Sequence, residues 1–331
     1  MATRRKRYRM KKSTKIVITI IILIASMISG WLIYDNGGFA TGGSGGGSGG
    51  DSSSNNSSDR EDSEVVVGEG DPVKIYFIDV GQADCTVICT KDGNMLIDAG
   101  SNSSEEEMLA YINKLKITEF KYAIFTHPHE DHIGGAEKIL QNYKVENVLI
   151  PDYEATTKVY TKMLEAIDEN GSNVEVIEAG ENFEFSIGEL TAKILAPIQF
   201  DNNPNNASIV TRVDYGETSI MFTGDAEGVR DDDPEKLILE KYKNNLEILD
   251  CDIYKLGHHG SKTSSSQEFL DAMTPEITII SCGLDNDYGH PNEEVIERLE
   301  KADIEYYRTD KLGTIILTVY KNGYKLSENK K

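Results

Sequence analysis

The chain has 331 residues, with 56 acidic against 34 basic side chains and a formal charge of −22. So acidic a surface argues against a non-specific nucleic-acid coat, but it leaves room for a nuclease whose bound cations supply the positive field. Four cysteines (Cys85, Cys89, Cys251, Cys282) are too few for a disulfide scaffold. Without a C-x-x-C pair they read as core thiols rather than zinc ligands, and a disulfide among them stays open.

In chain order, residues 1–15 form a basic tail of eight Lys and Arg with no acid, which leaves −30 on the remainder. Ile16–Tyr34 follows as 19 residues without a charge, and a membrane-crossing helix needs about 20. The basic flank predicts a cytoplasmic N-terminus and an extracytoplasmic remainder. A cleaved signal peptide is the rival reading. The apolar run is longer than the usual stretch of about 7–15 residues, and no A-x-A site follows, so an uncleaved single-pass anchor is expected. Residues 35–72 are Gly, Ser, Asn and acid, a flexible tether unable to bury enough apolar surface to order itself. Residues 73–327 then form one large domain.

Within that domain, Val73–Asp79, Asp84–Thr90 and Asn94–Asp98 read as strands, with Lys91-Asp92-Gly93 as a hairpin turn. Glu105–Leu115 is helical by the spacing of Met108, Leu109, Ile112 and Leu115. Tyr122–Phe125 is a short strand running into a histidine cluster, followed by a helix at Ala136–Asn142, a strand at Val145–Ile150 and a helix at Val159–Glu169. A second strand-rich stretch begins near Val174. It includes Ser208–Asp214 and Ser219–Phe222 around the Tyr215-Gly216-Glu217 turn, then strands at Ile253–Leu256, Ile277–Ser281 and Thr314–Tyr320. Ser266–Met273 and Glu293–Lys301 are helices between them. Two such halves suit an α/β fold with sheets inside and helices outside.

The six histidines occur in three groups. Thr126-His-Pro-His-Glu-Asp-His132 holds His127, His129 and His132; Gly257-His-His-Gly260 holds His258 and His259; Tyr288-Gly-His-Pro291 holds His290. Two imidazoles two apart on an extended loop can face one metal ion. Asp131 and His132, from the next turn, reach a second. Gly134 and Gly135 let the following helix pack close behind. Imidazole with carboxylate suits zinc, manganese or iron rather than calcium. A pair of ions about 3.5–4 Å apart can ready water and polarise the bond under attack.

Phe77-Ile-Asp-Val-Gly-Gln-Ala-Asp84, Leu96-Ile-Asp-Ala-Gly100, the histidine cluster, Asn205-Asn-Ala-Ser-Ile-Val210, Phe222-Thr-Gly-Asp225, Gly257-His-His-Gly-Ser261 and Tyr288-Gly-His-Pro291 occur in that order. This series resembles the metallo-β-lactamase superfamily, specifically its ComEC-like branch of competence and DNA-internalisation proteins, from about Val73 to Tyr320. The resemblance implies a four-layer αββα sandwich and a site for two divalent ions, zinc or manganese. It implies His127 and His129 on the first ion, Asp131 and His132 on the second, Asp225 bridging both, and His258 completing the second, with His259 the less favoured of the adjacent pair. Asp98 would support the histidine loop. Asn206, Ser208, His259 and Ser261 are candidate substrate-binding or supporting residues, and Asp79, Gln82 and Asp84 would shape the loop beneath.

Many superfamily members place a ligand histidine between the cluster and the bridging aspartate. None lies between His132 and His258 here, so the first site is one protein ligand short, to be filled by water, substrate or a side chain near Asn206. His290 is read as a ligand, a general acid or a phosphate contact, against the plain alternative of a turn before the next helix. Asp231-Asp-Asp233 is a solvated loop or a helix start. The resulting expectation is a membrane-anchored, extracytoplasmic hydrolase with Asp131, Asp225 and His290 in catalysis and a metal-bridging hydroxide as attacking group. Its expected substrate is extracellular DNA or another phosphodiester. The channel-forming membrane part of a ComEC protein is missing, so strand processing rather than transport is expected. An esterase or lactonase, or a non-catalytic module stabilised by metal, are the alternatives.

Overall fold

The computed structural model describes residues 69–328. The basic tail, the apolar run at 16–34 and the tether as far as residue 68 lie outside those residues. Among the described residues no helix is long and apolar enough to cross a membrane.

The first half runs β1 (Val73–Phe77), β2 (Cys85–Thr90), β3 (Gly93–Ala99), α1 (Glu105–Lys114), β4 (Glu119–Ile124), α2 (Glu130–Ile133), α3 (Ala136–Asn142), β5 (Lys144–Pro151), α4 (Lys158–Asn170) and β6 (Asn173–Ile177). Helix α4 shows why such segments form. Thr157 caps it by accepting from Tyr160 N, Gly171 closes it at φ 70°, and Tyr160, Met163, Leu164 and Ile167 make one buried stripe. The second half runs β7 (Phe183–Ile187), β8 (Leu190–Ala196), β9 (Val210–Tyr215), β10 (Thr218–Phe222), α5 (Pro234–Tyr242), β11 (Ile253–Lys255), α6 (Gln267–Met273), β12 (Ile277–Ile280), α7 (Glu293–Lys301) and β13 (Glu305–Arg308). After α8 (Thr309–Leu312), the chain returns through β14 (Ile315–Tyr320) and β15 (Gly323–Glu328).

One sheet has the order β15-β14-β1-β2-β3-β4-β5-β6 and the other β13-β12-β11-β10-β9-β8-β7. Between them lies a core including Ile75, Phe77, Ile97, Ile124, Ile194, Phe222, Ile279 and Leu317. Phe77 stacks on Phe222 from one sheet to the other, with ring centroids 6.2 Å apart. The outer face of the second sheet is covered by Ile238 of α5, Phe269 and Leu270 of α6 and Val295 and Leu299 of α7. On the outer face of the first sheet, Met108 and Ile112 of α1 and Ile139 of α3 are fully buried. The helix–sheet–sheet–helix layering is the α/β arrangement expected.

Several elements were not legible beforehand. The sequence pattern does not separate the hairpin β7–β8 within its strand-rich stretch, and it marks neither β13 nor β15. Edge strands such as β15, with Tyr324, Lys325 and Ser327, carry a weak apolar alternation because one side faces water. The run at Asp231-Asp-Asp233 proves to be a helix start: Asp231 and Asp232 are exposed, whereas Asp233 is fully buried at the N-cap of α5.

Topology puts the chemistry at one rim. Strands β3 and β4 run parallel in one sheet, and β10, β11 and β12 run parallel in the other. Asp98 lies at the end of β3 itself, and the loops leaving the carboxyl ends of β4, β10, β11 and β12 carry the histidine cluster, Asp225, the His258–His259 turn and Ser281, as ligand loops do in open α/β sheets. Gly134 and Gly135 permit the close approach anticipated from sequence. A Cβ on either would sit 2.3 Å from a backbone atom, Asn102 N and Ala99 O respectively.

Behind this rim, the buried Glu235 of α5 accepts from Ser265 N at 2.5 Å and Ser266 N at 2.9 Å. Burial outweighs those two donors and pushes its carboxyl from 4.5 up to about 7. Below the unfolded value both states hold the proton. As pH rises towards 7 the unfolded chain loses it first, so stability falls, by roughly 3 kcal/mol in total. Urea denaturation between about pH 5 and pH 8 should show this loss, with a flatter profile in Glu235→Gln. Identical slopes in the two proteins would contradict it.

Candidate metal centre

The loop after β4 is fixed by Asp98, which sits at the end of β3 with a left-handed φ of 57°. Its carboxylate accepts from the Thr126 amide and the Thr126 hydroxyl, both at 2.8 Å, and from His132 Nδ1 at 2.7 Å. A carboxylate only accepts, so His132 carries a proton on Nδ1 and turns Nε2 toward Asp225 Oδ1, 3.1 Å away. The Thr126 hydroxyl has given its proton to Asp98, so it accepts from His127 Nδ1 at 3.2 Å. That leaves His127 Nε2 facing His129 Nδ1 at 3.1 Å and Asp225 Oδ2 at 3.6 Å.

Asp225 reaches the site through a tight turn after β10. Its amide donates to Ser208 Oγ at 3.0 Å, which gives Ser208 its place as a support. Gly224 has φ 52°, and a Cβ there would lie 2.9 Å from Thr126 Oγ1 and 3.0 Å from Ser208 Oγ. Glycine is therefore required both for the backbone and for the space.

The adjacent histidines after β11 depart from expectation. Both have left-handed backbones, His258 at φ 51° and His259 at φ 54°, a conformation that costs a non-glycine residue about 1–3 kcal/mol. Successive left-handed residues send the two rings to different partners. His259, not His258, joins the second group: its Nε2 lies 3.3 Å from Asp131 Oδ2 and 3.9 Å from Asp225 Oδ1. Its Nδ1 donates to Ser281 O at 3.0 Å, which fixes the tautomer. His258 instead places Nε2 3.5 Å from Asp225 Oδ2, the oxygen that faces His127. Behind it, Nδ1 meets Thr263 Oγ1 at 3.3 Å, and Thr263 in turn touches Glu227 and Ser261.

Besides the close set Asp84–Asp98–His132, whose carboxylates already accept from Lys255 and Thr126, two compact ligand groups result, Asp131–His132–Asp225–His259 and His127–His129–Asp225, and each has its donor atoms within 4.8 Å of one another. Asp225 belongs to both. Three donor atoms in the four-residue group, the second site, are buried without a hydrogen-bond partner: His132 Nε2, His259 Nε2 and Asp225 Oδ1. Ligands about 2.1 Å from one cation and roughly 90–110° apart stand about 3.0–3.4 Å from each other, close to the spacings here. Nitrogen and carboxylate oxygen, buried and unsatisfied, fit a pair of divalent ions.

The electrostatics agree. Burial alone would raise the Asp225 carboxyl, but the imidazoles of His132, His258, His127 and His259 hold it well below the usual carboxylate range. Burial drives His127 well below its ordinary value, leaving a neutral ligand. Against burial, Asp84 and Asp225 push His259 up to about 10, and Asp225 and Asp98 raise His132. Divalent ions would displace those protons, so loading is linked to proton release.

The remaining predicted residues fall around this centre. Asn206 is buried and donates to Asp201 Oδ2 at 2.9 Å and Asp233 Oδ1 at 3.1 Å; it braces the neighbouring loop and belongs to neither ligand group. Ser261 shapes the turn beside His258. His290 stands at the mouth, outside both groups, 5.7 Å from the His258 ring and 6.5 Å from that of His259. Burial, then the neighbouring imidazoles of His258 and His259, lowers it to about 4, so it is neutral at ordinary pH. Asp79 accepts from Gly81 N in the loop beneath, as expected of that segment.

Sequence reasoning missed Lys255, Glu227, Thr263 and Ser281. Lys255 Nζ donates to Asp84 Oδ2 at 2.7 Å and to Leu256 O at 3.1 Å, with both side chains almost wholly buried. The signal was available: a lysine inside the apolar run Ile253-Tyr-Lys-Leu256 is out of place unless it is paired. Asp84 also lies 3.4 Å from His259 Nδ1, and its amide donates to Asp131 O at 3.0 Å. The pair thus underpins the second ligand group.

Comparison with known proteins agrees with this geometry. Among curated proteins, ComE operon protein 3 of Bacillus subtilis (strain 168) is 31% identical over 261 residues, 73% of this chain and 32% of that protein. Competence protein ComA of Neisseria gonorrhoeae is 28% identical over 249 residues, 75% of this chain and 32% of that protein. The chain thus spans less than two thirds of either relative's length. Among solved structures, the metallo-beta-lactamase fold protein YhfI from Bacillus subtilis superposes with a TM-score of 0.50 at 11% identity, covering 76% of this chain and 100% of that one, a likeness of fold alone. The family model of the Metallo-beta-lactamase superfamily matches residues 78–284, and with the ligand loops in place the chain belongs to that superfamily, as a ComEC-like member.

Proposed function

We propose that the protein is a metal-dependent phosphodiesterase, anchored by residues 16–34 and acting on DNA or a smaller phosphodiester outside the cell membrane. The observation that carries the reading is the buried, unsatisfied set of His132 Nε2, His259 Nε2 and Asp225 Oδ1 beside His127 and His129. Names of the relatives, competence proteins among them, favour a polynucleotide over other esters. The anchor and its orientation rest on the basic tail and the apolar run.

On this reading His127, His129 and Asp225 would hold the first ion, and His258, beside Asp225 Oδ2 at 3.5 Å, would take the place of the histidine missing between His132 and Asp225. Asp131, His132, His259 and Asp225 would hold the second. Bound there, zinc or manganese ions would supply an acidified water and polarise the scissile ester. The protein fixes the rest. Asp98, Thr126 and Ser281 set the tautomers of the ligand imidazoles, and Ser208 holds the Asp225 turn.

The test is a panel of phosphodiesters, carboxyl esters and lactones offered to metal-replete protein. Phosphodiester cleavage is expected, with His129→Ala and Asp131→Ala each reducing it at least about 100-fold. Turnover confined to carboxyl esters or lactones would replace this reading with the esterase one, which the acidic surface favours. Metal content without any turnover would leave a metal-stabilised module.

A further inference from the structure

Gln82, in the loop between β1 and β2, reaches across to the loop that follows β12. Its Oε1 accepts from Gly283 N at 2.9 Å, and this settles which way the amide faces. Its Nε2 is therefore the atom 3.3 Å from His290 Nδ1. An amide nitrogen only donates, so Nδ1 must be a bare acceptor and the proton of the neutral ring sits on Nε2.

The surrounding loop is built to keep that contact. Asn286 Oδ1 accepts from His290 N at 3.0 Å, while Asn286 Nδ2 donates to His290 O at 2.6 Å and Gly283 O at 2.9 Å. A Cβ on Gly283 would stand 2.8 Å from Gln82 N, so the two loops touch through backbone. The His290 ring lies nearly parallel to that of His259, with an interplanar angle of 18°, at the mouth of the metal centre. A tautomer matters at such a place: Nε2–H offers a donor to an anionic oxygen, whereas the other tautomer would offer a lone pair.

We propose that Gln82 is a positioning residue that locks His290 as the Nε2–H tautomer, so that a neutral imidazole donates to an oxygen of the bound phosphodiester. The substrate contact rests on the phosphodiesterase reading; the tautomer does not. His290 is then a hydrogen-bond donor rather than an imidazolium acid, and Gln82 acts only through it.

The experiment uses full-length, metal-replete protein with isotope-labelled histidine, whose six imidazoles are assigned by substitution in nitrogen NMR spectra. Wild-type His290 should show a protonated Nε2 and a bare Nδ1. Gln82→Glu keeps an acceptor for Gly283 N–H but sets another against Nδ1, and should draw the proton there. With bis(p-nitrophenyl) phosphate as probe, kcat of that variant should fall about tenfold or more, with a smaller change in KM. His290→Gln, whose amide replaces Nε2, should retain more turnover than His290→Asn, which replaces Nδ1 alone. A protonated Nδ1 in the wild type overturns the proposal, as does a moved proton with unchanged kcat. Should Gln82→Glu fail to fold, the wild-type spectrum and the His290 pair still decide. The expected tautomer without turnover of any phosphodiester would instead overturn the phosphodiesterase reading.

Discussion

Asp225→Asn should cost the protein both cations and at least about 100-fold in turnover while leaving its fold in place. Among the described residues Asp225 is the one shared by the two ligand groups. Its Oδ1 faces His132 at 3.1 Å, and its Oδ2 faces His258 at 3.5 Å and His127 at 3.6 Å. An amide of the same shape keeps one oxygen and turns two N–H donors toward atoms that should face metal. The backbone bond to Ser208 Oγ is untouched, so the defect is chemical rather than conformational. Elemental analysis with circular dichroism separates these outcomes. Retention of both ions by a folded Asp225→Asn protein would show that the carboxylate does not bridge them.

Lys255→Met should produce the largest loss of stability from a single change beneath the site, about 3–5 kcal/mol in urea denaturation. The ammonium is the cation paired with Asp84, and their side chains are 4% and 7% exposed. Burial alone would raise the Asp84 carboxyl, but Lys255 first, then His259, holds it far below its usual range. Without the lysine, a carboxylate in low dielectric keeps only imidazole partners and must take up a proton or let in water. Adding Asp84→Asn to Lys255→Met should recover much of the loss, because a buried pair removed together costs less than one partner stranded. A loss below about 1 kcal/mol would mean that the pair is solvated.

The sequence exposed the ligand loops because ligands that must share an ion often come from one loop. His127, His129, Asp131 and His132 lie within six positions, and the turns at Asp225 and His258–His259 follow strands recognisable by their apolar runs. Gly134 and Gly135 were readable for the same reason, since close packing behind a loop excludes a side chain. Other features depend on geometry that spacing does not carry. Whether His258 or His259 faces the second group is decided by two left-handed residues in succession, and adjacency in sequence is silent on that. Asp84, in the loop before β2, and Lys255, at the end of β11 in the other sheet, are 171 positions apart, so only the folded packing reveals the pair. The edge strand β15 escaped because weak alternation resembles loop, and α5 was legible only as one of two readings of its start at Asp231-Asp-Asp233.

The account turns on two cations held by side chains from both sheets, and a count of bound metal tests this most directly. Elemental analysis of full-length protein, saturated with zinc or manganese and freed of excess, should give two ions per chain, with one lost in His259→Ala. A wild-type protein that binds none, or that binds two regardless of His259, would contradict it.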